Sequence, residues 1–148
     1  MTEFSATTAF RLVRRLAAVG RDTPSVYLLI CDAAEMTSVL ADMTVEVQIQ
    51  LGLNLRSFAG SELHPGSLEA LTERNVGDLA VIILDHWFPK LVRSFDRNVV
   101  MLTSGGTVVL LATPDIAEGM LRSAPNLRSR LTDILLLRPE EALREAGA

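Results

Sequence analysis

A chain of 148 residues, of which 49% are hydrophobic and 22% charged, has the size and composition of one globular domain with a complete core. Its formal net charge of −4 argues against a dedicated nucleic-acid binder, and a single cysteine excludes an internal disulfide. The polar start lacks the pattern of a signal peptide, and no apolar run approaches the ~20 residues that span a bilayer. We therefore expect a cytoplasmic protein with small-molecule or protein partners and no membrane partner.

Apolar spacing predicts a single α/β domain over residues 1–148. A helix over about residues 7–19 and a loop with Pro24 make up residues 1–24, and residues 138–148 form a short tail. The sheet core spans residues 26–137. It contains five apolar strands, predicted at residues 26–30, 53–58, 79–84, 107–112 and 133–137.

Helical patterns separate these strands. They predict helices at about residues 33–51, 67–74, 89–102, 114–123 and 127–131. Alternating strands and helices require right-handed crossovers. The predicted fold class is therefore α/β, a five-stranded, mostly parallel sheet with helices on both faces.

The first strand, the turn after it and the next helix follow the order of a phosphate-binding loop, but the turn lacks the residues that bind phosphate. Residues 31–38 contain no glycine, which would let backbone N–H groups curl around an anion, and no lysine to meet the outer phosphates. Asp32 stands at the helix N-cap, and Glu35 three residues later completes a capping-box pattern. Two carboxylates would repel a triphosphate, which points to a binding role without nucleotide.

Four stretches resemble the core ATPase domain of the AAA+ family, and the resemblance covers about residues 12–139. Residues 51–63 resemble its second strand and the following turn, and residues 81–85 resemble Walker B. Residues 108–115 resemble the strand that bears sensor 1, and residues 126–131 resemble the arginine-finger segment. The resemblance implies the P-loop NTPase strand order 5-1-4-3-2. We expect the usual helical lid to be absent, since only about ten residues follow the fifth strand.

Compared with that family, this chain has different residues at the nucleotide-site positions. The Walker A lysine and hydroxyl positions fall on Thr37 and Ser38, and the glutamate after the Walker B acid Asp85 is His86. The sensor position holds Thr113, and we predict that Asp85 and Thr113 cap the turns after their strands. We therefore expect no catalytic residue, no cofactor and no metal site, with weak binding of ATP and Mg²⁺ as the alternative.

Two further side chains follow strand ends. Cys31 lies beside acids, which disfavour a thiolate, so we predict an inert, packed thiol. Trp87 and the neighbouring Phe88 are expected to pack on the core, with an aromatic anchor for a partner as the alternative.

The favoured function is a non-catalytic AAA+-like domain that acts as a protein-interaction or scaffold subunit beside an active ATPase or effector. In such a homo- or hetero-oligomer, Arg128 and Arg130 could serve as arginine fingers in trans, with Arg122 as a further candidate. The simpler interpretation of these arginines is a solvated basic face.

Two other functions stay open. A receiver-like signalling domain would be phosphorylated at Asp85, with Asp32 as the remaining magnesium acid, Thr113 at the end of the fourth strand and Arg138 at the lysine position. An NTPase with an atypical P-loop would use His86 as its general base.

Overall fold

The structure, a computed structural model, describes residues 4–19, 25–63, 78–103 and 106–140. The strands are β1 (Ala6–Thr8), β2 (Ser25–Ile30), β3 (Asn54–Ala59), β4 (Asp78–Leu84), β5 (Thr107–Ala112) and β6 (Asp133–Arg138). The helices are α1 (Ala9–Val19), α2 (Met36–Glu46), α3 (Pro89–Arg97), α4 (Val99–Thr103), α5 (Pro114–Ser123) and α6 (Pro125–Arg130). Short 3₁₀ turns at Ala33–Glu35 and Gly60–Glu62 and a π-helical segment at Val47–Leu51 complete the set.

The strands form one parallel sheet in the order β1-β6-β2-β5-β4-β3. From β6 to β3 this is the predicted order 5-1-4-3-2. The central strands β2 and β5 are buried along their whole length, which explains their uninterrupted apolar runs. The predicted α/β class and strand order are confirmed.

The sheet has six strands where five were predicted. Residues 6–8 form β1, although the sequence assigned residues 7 and 8 to the start of a helix, and α1 begins at Ala9. β1 pairs with the edge of β6, with Thr7 opposite Leu137. Three residues are too few to show a strand periodicity, so this strand exists because β6 supplies its hydrogen-bonding partner.

Two predicted helices are interrupted. The helix predicted over residues 33–51 consists of a 3₁₀ turn, α2 and the π-helical segment, which ends at Gly52 with a left-handed φ of 65°. The helix predicted over residues 89–102 breaks at Asn98, whose side-chain Nδ2 donates to the Ser94 carbonyl at 3.0 Å. The helix predicted over residues 67–74 and the tail beyond residue 140 lie outside the described residues.

Helices cover both faces of the sheet. On one face α1 and α2 pack around Tyr27 and Leu29, and on the other α3 to α6 pack around Leu28 and Ile30. Successive side chains of β2 therefore belong to opposite cores, as the pleat of a strand requires. Within the described residues, no helix has the length and apolar character needed to cross a membrane.

Candidate functional site

The candidate site residues follow the carboxyl ends of neighbouring strands. The register places four residues in one row across β4, β5, β2 and β6, namely Leu84, Ala112, Ile30 and Leu136. Asp85, Thr113 and Cys31 come directly after that row, so they share one edge of the sheet. In open parallel α/β sheets, ligands bind at this carboxyl edge.

The loop after β2 closes on its own backbone. The Glu35 N–H donates to the Asp32 carbonyl at 2.9 Å, which forms the 3₁₀ turn that leads into α2. The predicted capping box is wrong, since neither the Asp32 nor the Glu35 side chain bonds a backbone N–H at these helix starts. Asp32, Thr37 and Ser38 are exposed. A main-chain hydrogen bond closes the turn, so the carboxylates of Asp32 and Glu35 are available for other contacts.

Glu35 pairs with Arg138 at the end of β6. The Arg138 Nε lies 3.5 Å from the Glu35 Oε1, and the two side chains are 46% and 24% exposed. That oxygen is shut off from solvent and makes no hydrogen bond. The contact is therefore an electrostatic one between charges, without hydrogen-bond geometry, and it joins the 3₁₀ turn before α2 to the end of β6.

The predicted cap at Asp85 is also wrong, whereas Thr113 stands at the predicted N-cap position of α5 without a side-chain hydrogen bond to the helix. Asp85 Oδ1 lies 3.0 Å from His86 Nδ1, and α3 starts at Pro89 without a side-chain cap. Proline at the first helical position has no N–H, which removes one of the groups that a cap would satisfy. Thr113 has the extended backbone of an N-cap, but only its carbonyl is used, by the Ala117 N–H at 2.9 Å.

Cys31 is buried at this edge. Burial, with smaller contributions from Glu35 and then Asp32, raises the pKa of its thiol to about 11. A thiol with this pKa is protonated at neutral pH and is a poor nucleophile. The prediction of an inert, packed cysteine agrees with these surroundings.

Two glycines make room for the aromatic residues after β4. A Cβ on Gly60 would lie 2.6 Å from Phe88 Cε2, and a Cβ on Gly119 would lie 3.0 Å from Trp87 Cζ3. Phe88 packs against the core, whereas Trp87 is 44% exposed. The expected core packing thus holds for Phe88, and Trp87 covers α5 with part of its ring in solvent. Sequence reasoning missed both glycines because nothing local marks their contacts.

Arg128 and Arg130 lie at the opposite, amino edge of the sheet, since α6 leads into the start of β6. Both are exposed, and among the described residues neither forms an ion pair. Arg130 borders an open cleft of about 680 Å³ between α6 and the α3–α4 junction. In the part of the chain that the structure describes, no cluster of His, Cys, Asp and Glu could hold a metal ion.

Three solved structures share this fold. RuvB of Thermotoga maritima matches in two single-residue variant forms, each with a TM-score of 0.51. One variant is 21% identical, and the match covers 87% of this chain and 42% of the RuvB chain. The other is 23% identical, and the match covers 84% of this chain and 41% of the RuvB chain. Orc1 of Aeropyrum pernix, solved in complex with DNA, matches with a TM-score of 0.52 at 15% identity over 88% and 44%. No family model and no curated protein matches the sequence.

RuvB and Orc1 are AAA+ proteins of the P-loop class, so the chain has the fold of an AAA+ core. This confirms the resemblance found in the sequence at the level of the fold. The chain spans less than half the length of each of these neighbours.

The strand order argues against the receiver-like alternative. A flavodoxin-like receiver has the order 2-1-3-4-5, in which the first strand lies between the second and the third. Here β2 lies between β5 and β6, and Asp85 follows β4, which is separated from β2 by β5. Arg138, at the receiver's lysine position, is paired with Glu35. The strand order therefore does not match the receiver-like alternative, in which Asp85 would be the phosphorylation site.

Proposed function

We propose that this domain is a cytoplasmic, non-catalytic AAA+-like module that acts as a protein-interaction or scaffold subunit and uses no nucleotide. The observation that carries the proposal is the Glu35–Arg138 pair at the 3₁₀ turn that leads into α2. A resemblance to P-loop proteins would place the nucleotide phosphates at this turn. Instead of a lysine, the turn presents carboxylates, and the nearby cation is already neutralised by Glu35.

The energetics support this proposal. Two like charges 4 Å apart repel by about 4 kcal/mol at an effective dielectric of 20, and a triphosphate carries several charges. Asp32 is exposed at the same turn and forms no ion pair among the described residues, so its charge would repel an incoming phosphate. The residues at this turn therefore do not fit a nucleotide.

Thermal unfolding with and without Mg-ATP tests the proposal. A ligand at 100 times its dissociation constant stabilises a protein by about 2.7 kcal/mol, which a melting curve resolves readily. We expect no stabilisation of the wild-type protein. Stabilisation that disappears in Asp85→Asn, or ATP hydrolysis that disappears in His86→Ala, would instead support the atypical NTPase, in which the Asp85–His86 pair does the chemistry.

Beside an active ATPase, the exposed arginines of α6 would reach a partner's nucleotide site. An arginine finger supplied in trans raises kcat by about 10³–10⁵. Affinity capture from the native cell would recover an intact P-loop ATPase, and its turnover would be measured with wild-type, Arg128→Ala and Arg130→Ala proteins. We expect a large loss with one variant. Unchanged turnover with both would leave these side chains a packing or docking role.

A further inference from the structure

The face built by α3 and α6 carries five cations that form no ion pair among the described residues. Lys90, Arg93 and Arg97 recur three and four residues apart, which places them in one stripe along α3. Arg128 and Arg130 project from α6, which packs against α3. All five are exposed, and the ion pairs of the described residues involve none of them.

The acidic side chain in these two helices already has hydrogen-bonding partners. Asp96 is the one acidic residue of α3 and α6. Its Oδ1 accepts the Leu127 N–H at 2.9 Å, and its Oδ2 lies 3.5 Å from the Asn126 Nδ2. Asp96 therefore ties α6 to α3 and offsets only part of the positive charge. A chain with a formal charge of −4 thus has a basic face.

The cleft of about 680 Å³ lies within this face. Arg97 from α3 and Arg130 from α6 both line it, and so does Val100, which is 72% exposed. A guanidinium group presents a fork of donors that matches a carboxylate in a bidentate pair. The cleft thus combines two such forks with an apolar contact, and it is also lined by Asp96, whose Oδ1 already accepts the Leu127 N–H.

We propose that this cleft is a docking site for a short acidic segment of a partner protein, whose carboxylates pair with Arg97 and Arg130 and whose apolar side chain contacts Val100. The inference rests on the proposed interaction function and names its surface and partner chemistry. An open cleft of about 680 Å³ has room for a few side chains, so it suits a short segment. A long polyanion such as nucleic acid would extend along α3 towards the carboxyl edge, where Asp85 and Asp115 are exposed and would repel it.

Fluorescence anisotropy with a labelled peptide, Glu-Glu-Leu-Glu-Glu-Glu, tests this docking site. We expect saturable binding to the wild-type protein and at least a tenfold loss of affinity in the double variant Arg97→Glu, Arg130→Glu. The matched control is Arg11→Glu, Arg14→Glu, which makes the same change of charge at exposed positions of α1 on the other face. This control should keep wild-type affinity to within about threefold, and far-ultraviolet circular dichroism would verify that both variants fold.

Further measurements distinguish the possible causes of peptide binding. Arg128→Ala should leave the peptide affinity unchanged, because Arg128 does not line the cleft. A peptide with glutamine in place of glutamate should not bind. The proposal would be overturned by absent binding, by an equal loss in the α1 control, or by a hexathymidylate that binds more tightly through the same arginines. A negative peptide result together with no Mg-ATP stabilisation would leave the proposed function intact.

Discussion

At the scale of single residues, polar side chains at the carboxyl edge lie next to one another in pairs. Glu35 meets Arg138 at 3.5 Å, and Asp85 meets His86 at 3.0 Å. The Glu35–Arg138 ion pair joins partly exposed side chains, and such pairs contribute about 0–1 kcal/mol to stability. These pairs matter for ligand binding at the carboxyl edge, because each occupies a side chain that could otherwise contact a ligand.

Cys31 gives a pH-dependent prediction. Its thiol has a pKa raised from 9.0 to about 11 in the folded protein, mainly by burial. The folded state therefore holds a proton that the unfolded chain loses first, so the stabilisation is complete below about pH 9 and is lost as the pH rises through about 11. Urea titrations at pH 8, 9, 10 and 11 would measure this decline, and we expect a shallower one in Cys31→Ala.

The comparison with Cys31→Ala uses slopes, because removing a buried sulfur also lowers stability at every pH. Burial likewise raises the pKa of Tyr27, so part of the alkaline decline should remain in the variant. Identical slopes in the two proteins would contradict the assignment of this decline to Cys31.

At the scale of elements, the loop between β4 and α3 is fixed by contacts with two distant elements. Phe88 lies against Gly60, in the turn after β3, and Trp87 lies against Gly119, in α5. The loop thus ties the edge of the sheet to the helical layer. Both contacts depend on the missing Cβ of a glycine.

Gly60→Ala and Gly119→Ala should therefore differ in their effect. At Gly60 a methyl group would lie 2.6 Å from the packed ring of Phe88, and such overpacking costs about 1–3 kcal/mol. At Gly119 the contact is 3.0 Å from a partly exposed ring, and replacing a helical glycine by alanine gains about 1 kcal/mol. Chemical denaturation should rank Gly60→Ala as clearly less stable than Gly119→Ala. The reverse order would show that the ring of Phe88 moves away from the added methyl group more easily than the ring of Trp87.

At the scale of the whole molecule, β1 closes one edge of the sheet. It covers β6, whose Leu135 and Leu137 are buried, and the Leu136 N–H donates to the Ser5 carbonyl at 2.9 Å. An uncovered strand edge presents unpaired N–H and C=O groups that can pair with another chain.

Removal of residues 1–8 should therefore expose the edge of β6 and increase self-association. Light scattering across a concentration series would compare the shortened protein with the full chain. A control that keeps the backbone, Thr7→Ala with Thr8→Ala, should associate like the full chain. If the shortened protein scatters no more than this control, β1 does not protect the edge.

The five core strands were predicted within one residue at each end, because each is an apolar run between polar turns. The strand order was also predicted, but only through the resemblance carried by stretches such as residues 81–85. Two cap assignments, at Asp32 and Asp85, were wrong. Local patterns favour a cap wherever an acid precedes a helix, yet these carboxylates lie beside no free N–H at the helix start.

The sequence by itself determined the α/β class, the strands and the absence of glycine and lysine from the loop after β2, since these depend on local composition and periodicity. Tertiary structure alone decided the pairing of Glu35 with Arg138, the strand β1 and the cleft between Arg97 and Arg130. These features join residues that are far apart in the chain. Their geometry depends on how the helices pack on the sheet, which no local pattern encodes.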